Sequence, residues 1–206
     1  MRVLKLRLLV VLFFASAVNG CMLPTNTLSK ADVATFKLAD IRVSVAPGAK
    51  VVWLEALQTY AAAKKIPDEQ YTDWIKTDDA KSHLNGLIAG KVKAAMEKEM
   101  GSALNGSRPV RLEIVVTDFL VPTGAQRLLV GGVYAINADV TLVDVKSGAV
   151  LIAHPKLGHA IPVQGGISGV VAQAIVDSTI RAVTDSMIDQ HAVIYRIWLI
   201  NNAKSA

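Results

Sequence analysis

Alternating apolar and polar positions predict four strands in this chain. Ile41, Val43 and Val45 are separated by polar residues, which is the period of a strand with one buried face. Pro47-Gly48 is expected to end that strand. Three more strands are predicted over residues 110–121, 134–142 and 149–153. Lys146-Ser147-Gly148 is expected to join the last two as a hairpin turn.

Two other stretches repeat apolar residues at the spacing of a helix. The first begins at a capping Asp78 or Asp79 and ends at Gly101. The second begins after a capping Ser168, and its apolar stripe is Val171, Ile175, Ile180, Val183, Met187, His191, Ile194 and Trp198. The order is strand, irregular region, helix, three strands, helix. This order predicts an α+β fold, a small and mostly antiparallel sheet with helices packed on one face.

Residues 51–78 have no sustained period. Residues 51–54 fit a buried edge and residues 54–60 have some helical spacing, whereas residues 64–79 are polar apart from Ile66, Tyr71, Trp74 and Ile75. A long surface excursion is predicted, and such loops are uncommon unless they are functional or mobile. Tyr71 and Trp74 are therefore candidate partner-binding residues, with packing onto their own domain as the alternative.

The amino terminus has the order of an export signal. Arg2, Lys5 and Arg7 precede an apolar run over residues 8–15, and small residues then lead to Gly20-Cys21. The apolar run is shorter than the roughly 20 residues that a transmembrane helix needs. Residues 1–20 are predicted to be a signal peptide that is removed on export.

Cys21 is the only cysteine, so it cannot form an internal disulfide. Val18-Asn19-Gly20-Cys21 resembles the lipobox of bacterial lipoproteins, which implies cleavage before Cys21 and acylation of that residue, with palmitate among the chains. Asn19 departs from the lipobox pattern, and ordinary cleavage near Ala17, leaving a soluble exported protein, is the alternative. Met22 is not the aspartate that retains some lipoproteins on the inner membrane, so the outer membrane is favoured.

The remaining chain is expected to divide into two parts. Residues 21–35 are predicted to be a lipidated, flexible tether, since they show no sustained period. Residues 36–200 are predicted to be a single domain in the periplasm.

Composition supports a folded protein and argues against a nucleic-acid partner. Hydrophobic residues make up 52% of the chain and charged residues 19%, which is typical of globular domains. The net charge of +5 includes the three leader cations, and their removal leaves 19 basic against 17 acidic residues. Since no Lys/Arg stripe with interleaved aromatic residues remains, nucleic-acid binding is not expected.

Catalytic and metal-binding patterns are weak throughout. Ser168 lies in Gly166-Ile167-Ser168-Gly169-Val170, which is not a nucleophile elbow. His154 and His159 would lie on opposite faces of an unbroken strand, and no third metal ligand is evident. Asp118, Asp139 and Asp144 fall on strands or turns, where solvent exposure explains them.

No enzyme activity, metal or cofactor is expected. A periplasmic hydrolase is the alternative, and convergence of His154, His159 and Asp144 would favour it.

Several segments resemble those of uncharacterised bacterial envelope lipoproteins, over residues 36 to 155. These segments are Ile41-Arg42-Val43-Ser44-Val45 followed by Val51-Val52-Trp53; Val115-Val116-Thr117-Asp118-Phe119; Gly131-Gly132-Val133; and residues 139–144 followed by the turn at Ser147-Gly148. The resemblance implies a fold similar to the amino-terminal domain of TolB, which recurs in accessory lipoproteins of envelope machines. It implies a non-catalytic adaptor or binding module whose partner is another envelope component, and it brings no catalytic residues.

Overall fold

The computed structural model describes residues 24–163, 165 and 173–205. Within these ranges the chain forms six helices and four strands. In chain order they are α1 (Lys30–Thr35), β1 (Phe36–Val52), α2 (Leu54–Lys64), α3 (Asp68–Trp74), α4 (Asp78–Met100), β2 (Arg108–Leu120), α5 (Gly124–Leu129), β3 (Gly132–Asp144), β4 (Val150–Val163) and α6 (Gln173–Asn201). In the described part of the chain, no helix is both long enough and apolar enough to cross a membrane.

The four strands form one sheet in the order β1-β2-β3-β4. β1 and β2 are parallel, whereas the β2–β3 and β3–β4 pairs are antiparallel. A parallel pair needs a long crossover connection, and α2, α3 and α4 provide it between β1 and β2. The predicted α+β class and the mostly antiparallel sheet are confirmed.

One face of the sheet carries the hydrophobic core. α4 packs on β1 and α6, and α6 also packs on β3 and β4. The inward side chains of the two central strands are buried: Val110, Leu112, Ile114, Val116, Tyr134, Ile136, Ala138, Val140 and Leu142. The opposite face carries polar groups such as the Arg111–Glu113 ion pair. One face is therefore buried and the other solvated, as the alternation predicts.

Helix α4 agrees with its predicted span, but its cap is a different residue. The Thr77 hydroxyl accepts a hydrogen bond from the Ala80 amide, so Thr77 is the N-cap rather than Asp78 or Asp79. Both aspartates lie in the first turn, where the helix dipole favours a negative charge. Gly101 ends the helix as predicted.

The irregular excursion predicted for residues 51–78 is wrong, because α2 and α3 occupy most of it. α3 has no buried residue and therefore no apolar stripe that a sequence pattern would reveal. Contacts with α4 stabilise the two helices instead. The Tyr60 ring stacks on His83 at 3.6 Å, and the Lys64 ammonium donates to both Asp79 carboxylate oxygens at 2.8 Å.

Two strands are longer than predicted, because each continues through a bulge. β1 does not end at Pro47-Gly48: residues 46–49 have no partner in β2, and pairing resumes at Lys50. β4 extends beyond Ala153, with an irregularity between the Val140–His154 and Ala138–Leu157 pairs where Lys156 has φ of 52°. The β3–β4 hairpin is confirmed, with Gly148 at φ of 72° in its turn.

The flexible tether expected up to residue 35 is also incorrect from Pro24 onward. The Asn26 amide is buried and donates to the carbonyls of Trp198 and Leu199 at 3.0 and 2.8 Å. The Trp198 indole donates to the Pro24 carbonyl at 2.8 Å. Val33 of α1 joins the core. This segment is therefore part of the folded domain.

Candidate functional site

A cleft opens between the second half of β1 and the helices α2, α3 and α4. Its volume is about 340 Å³, at the lower end of the range of small-ligand sites. The lining residues are Val45, Ala46, Pro47, Ala49, Val51, Leu57, Ile75, Ala80, Lys81, Leu84 and Asn85. We call this feature the apolar cleft.

The lining of the apolar cleft suits binding better than chemistry. Nine of its eleven residues are apolar, and the polar exceptions are Lys81 and Asn85. The Lys81 side chain is 62% exposed, and its ammonium lies 3.9 Å from the Asp78 carboxylate. No carboxylate, imidazole or hydroxyl is among the lining groups, so the cleft has no pair of residues for general acid–base catalysis.

The bulge in β1 creates one wall of the cleft. Residues 46–49 leave the register that β1 otherwise keeps with β2, and Ala46, Pro47 and Ala49 line the cleft there. Pro47 has no N–H to donate, and proline on an edge strand is one of the features that discourage pairing with another strand. The wall therefore offers apolar side-chain contacts rather than an open edge for strand addition.

An aromatic cluster joins the helices behind the cleft, and it consists of Tyr60, Tyr71, Trp74 and His83. Tyr60 and Tyr71 lie 5.7 and 6.1 Å from the Trp74 ring. The Trp74 indole donates to the Asp79 carboxylate at 3.3 Å. Because Ile75 follows Trp74 and lines the cleft, the cluster fixes the position of that wall.

Tyr71 and Trp74, the predicted partner-binding residues, thus lie together and are both half-buried. The Tyr71 hydroxyl is buried without a hydrogen-bond partner in the described part of the chain. Burial raises its pKa, and the Glu55 charge adds to the effect. Their role in partner binding stays a prediction.

A second polar cluster connects α5 to α2 at the same end of the sheet. Glu55 Oε1 accepts from the Gly124 amide at 3.2 Å and from Arg127 Nη2 at 3.4 Å. Arg127 Nη1 donates to the Tyr134 hydroxyl at 2.8 Å. The Arg127 side chain is only 11% exposed, so this ion pair is strongly desolvated. The sequence gives no signal for it, because Glu55 and Arg127 lie in separate segments.

The bulge in β4 changes the expectation for His154 and His159. An unbroken strand would place residues five positions apart on opposite faces. The bulge adds one residue between His154 and His159, so both side chains lie on the face covered by α6. There they approach His191, which is fully buried. Burial, together with smaller electrostatic effects of His159 and His154, lowers the pKa of His191 to about 4. Neither ring nitrogen of His191 has a hydrogen-bond partner among the described residues.

Asp144 does not join these histidines. Its carboxylate accepts from Arg108 Nε at 2.7 Å and from the Ser147 amide and hydroxyl at 2.8 and 2.9 Å. These donors, with the Ser147 amide first, hold the pKa of Asp144 well below its usual range. His154 pairs with Val140, which is about 13 Å along the strand from Asp144. The convergence that would favour a hydrolase is absent for these three residues.

Several predictions lie outside the described part of the chain: the signal peptide over residues 1–20, Cys21 as the lipidation candidate, Ser168 as the helix cap, and Val171 of the last apolar stripe. For the residues that the structure does describe, no three His, Cys, Asp or Glu side chains are grouped to hold a metal ion.

Comparison with known proteins identifies a family. The model of a family of unknown function, DUF6778, matches residues 77–200, which is more than half of the chain. The chain belongs to this family. The DUF6778 match begins at the cap of α4 and includes β2, β3, β4 and most of α6. No curated protein matches the chain.

Solved structures with some similarity come from bacteria. Protein XCC0632 from Xanthomonas campestris is 9% identical over 87% of this chain and 94% of its own, with a TM-score of 0.43. The PelC dodecamer from Paraburkholderia phytofirmans is 12% identical over 89% and 95%, with a TM-score of 0.37. Lipoprotein GNA1162 from Neisseria meningitidis is 13% identical over 73% and 99%, with a TM-score of 0.27. These scores are too low to transfer fold or function to this DUF6778 protein, and the TolB-like fold stays a prediction.

Proposed function

We propose that this protein is an envelope lipoprotein, anchored through acylated Cys21, whose domain is a non-catalytic accessory module. The apolar cleft binds an apolar segment of another envelope component. The anchor places the protein in the outer membrane rather than the inner one, with its domain in the periplasm.

The observation that carries this proposal is the position of the amino terminus relative to the cleft. Pro24 and Asn26 are held on the last turns of α6, beside the start of β1. The cleft begins at Val45, which is about 30 Å along β1 from Phe36. A lipid on Cys21 would therefore hold one end of the domain at the membrane and leave the cleft open at the other end.

The chemistry of the cleft supports a binding role. Its lining offers nine apolar residues together with the Lys81 amine and the Asn85 amide, a set that is suited to burying apolar groups beside a few polar contacts. Convergence of His154, His159 and Asp144 would support a hydrolase. Asp144 instead pairs with Arg108 and Ser147, at the end of the sheet that lies away from the cleft.

The anchor is tested by the intact mass of the mature amino-terminal fragment from membrane and soluble fractions, with Cys21→Ala as the control. A fragment that begins at acylated Cys21 supports the proposal. An unmodified fragment that begins upstream of Cys21 contradicts the anchor.

The cleft is tested by photo-crosslinking in the native host. A crosslinker at Asn85, on the rim of the cleft, is compared with one at Arg42, which is exposed on β1. We expect Asn85 to give a discrete adduct that Ala46→Trp abolishes by filling the cleft, while Ala153→Trp on exposed β4 leaves the adduct intact. Equal adducts at Asn85 and Arg42, or insensitivity to Ala46→Trp, would contradict a binding role for the cleft.

A further inference from the structure

The end of the domain that carries the amino-terminal segment brings together four parts of the chain. The Lys30 amide donates to the Lys204 carbonyl at 2.9 Å, which joins α1 to the end of α6. The Ser107 amide donates to the Thr35 carbonyl at 2.8 Å, which brings in the loop before β2. The Val145 amide donates to the Pro109 carbonyl at 3.1 Å, which adds the β3–β4 turn. We call this surface the basal end.

The basal end is positively charged, whereas the rest of the domain is not. Its segments, residues 24–37, 99–109, 143–150 and 196–205, hold six cations and three carboxylates. Two of these cations are neutralised in the Arg108–Asp144 and Arg196–Glu99 pairs. The other cations are Lys30, Lys37, Lys146 and Lys204, and all four are exposed. Beyond these segments and after the leader, 13 basic residues face 14 acidic ones, so the positive charge is confined to this end.

Apolar side chains lie next to these lysines. Val145 and Val150 flank the hairpin turn that carries Lys146, and they are 41% and 63% exposed. Exposed valines beside cations match the two layers of a membrane surface, where headgroup phosphates lie above acyl chains.

We propose that the basal end is a lipid-binding surface that contacts the anionic headgroups of the membrane in which the protein is anchored. This inference rests on the proposed lipid anchor. Cys21 precedes Pro24 by three residues, a chain length that spans at most about 11 Å. That reach is close to the Debye length of about 8 Å at physiological ionic strength, so headgroup charges act on these lysines with limited screening.

The experiment uses the chain from residue 21 onward, which contains every described residue, with Cys21→Ser to remove the acyl chains. Its partition onto vesicles of phosphatidylcholine is compared with its partition onto vesicles that also contain phosphatidylglycerol. One variant carries Lys30→Gln, Lys146→Gln and Lys204→Gln. The control carries the same charge change at three exposed lysines away from the basal end: Lys50→Gln, Lys65→Gln and Lys156→Gln.

We expect the parent chain and the control to prefer the anionic vesicles, and high salt to abolish the preference. Each basal lysine is expected to change the partition coefficient roughly fivefold, and the triple variant roughly a hundredfold. Equal losses in the basal and control variants, or no preference for phosphatidylglycerol, would overturn the inference. Circular dichroism verifies that both variants are folded.

The vesicle experiment and the intact-mass experiment can fail separately. An unmodified Cys21 in the intact mass would remove the proposed anchor while leaving a basal preference for anionic vesicles standing as peripheral binding. An acylated Cys21 without that preference would retain the anchor and refute the lipid-binding surface.

Discussion

Protonation of His191 is expected to destabilise the fold in mild acid. The side chain is fully buried between α6 and the sheet, neither ring nitrogen has a hydrogen-bond partner among the described residues, and His159 and His154 lie nearby. A positive charge there would lack both solvent and a counter-ion. The unfolded chain has no such restriction, because its histidine is exposed to water.

The magnitude follows from the difference in pKa between the two states. Burial lowers the pKa of His191 from 6.5 to about 4 in the folded protein. The unfolded state therefore binds more protons below pH 6.5, and the free energy of unfolding decreases as the pH falls. The loss is about 2 kcal/mol at pH 5 and about 3 kcal/mol at pH 4. Asp144 does not contribute in this interval, because its stabilising effect is lost only below its unfolded pKa of 3.8.

The assay is urea unfolding followed by tryptophan fluorescence at about pH 7.5, 5 and 4. His191→Leu removes one titrating group and two unpaired buried nitrogens, so we expect its free energy of unfolding to depend less on pH than that of the parent. His154, whose pKa is also lowered by burial, accounts for the dependence that remains. Met187→Leu, at a buried position of the same helix, is the control and should keep the parent's pH dependence. An unchanged pH dependence in His191→Leu would refute the assignment.

Three further substitutions test other parts of the fold. Asn26→Ala should lower the free energy of unfolding by about 2 kcal/mol, because two buried carbonyls lose their donor; urea titration measures it. Ile88→Ala should cost about 3 to 4 kcal/mol in the same assay, since Ile88 is fully buried in the core. Asp144→Asn should lower the melting temperature at neutral pH, because Ser147 and Arg108 stabilise the carboxylate in the folded state. The difference should begin to decrease as the pH falls below the unfolded pKa of 3.8 and should disappear once the carboxyl is also protonated in the folded state. Stability of these variants equal to that of the parent at neutral pH would contradict the corresponding contacts.

Local periodicity was enough to predict much of the fold. The alternation at Ile41, Val43 and Val45 and in residues 134–142 predicts strands with one buried face, and the helical spacing of apolar residues before Gly101 predicts α4. These patterns are reliable because burial on one face constrains every second residue of a strand and every third or fourth residue of a helix. The hairpin at Gly148 is local as well, since it requires a residue that tolerates positive φ.

The predictions failed where distant contacts determine the structure. α3 has no buried stripe that would reveal it. Tyr60 contacts Trp74, and Lys64 pairs with Asp79. These contacts join residues that are too far apart in the sequence for a periodic pattern to predict. The amino-terminal segment is predicted to be a tether because it has no sustained period, yet the Asn26 amide donates to two carbonyls of α6 more than 170 residues away. A single sequence does not reveal such a pairing.

The candidate sites themselves were missed for a related physical reason. Each of the two strand bulges breaks the period of two, and the pattern therefore predicts strand ends at Pro47-Gly48 and at Ala153. In the structure both strands continue. The first bulge supplies a wall of the apolar cleft, and the second brings His154 and His159 onto the face that packs against His191. Bulges recur next to functional sites because they redirect side chains without ending a strand, so a proline or glycine within an otherwise alternating segment is the sequence signal that would have located both features.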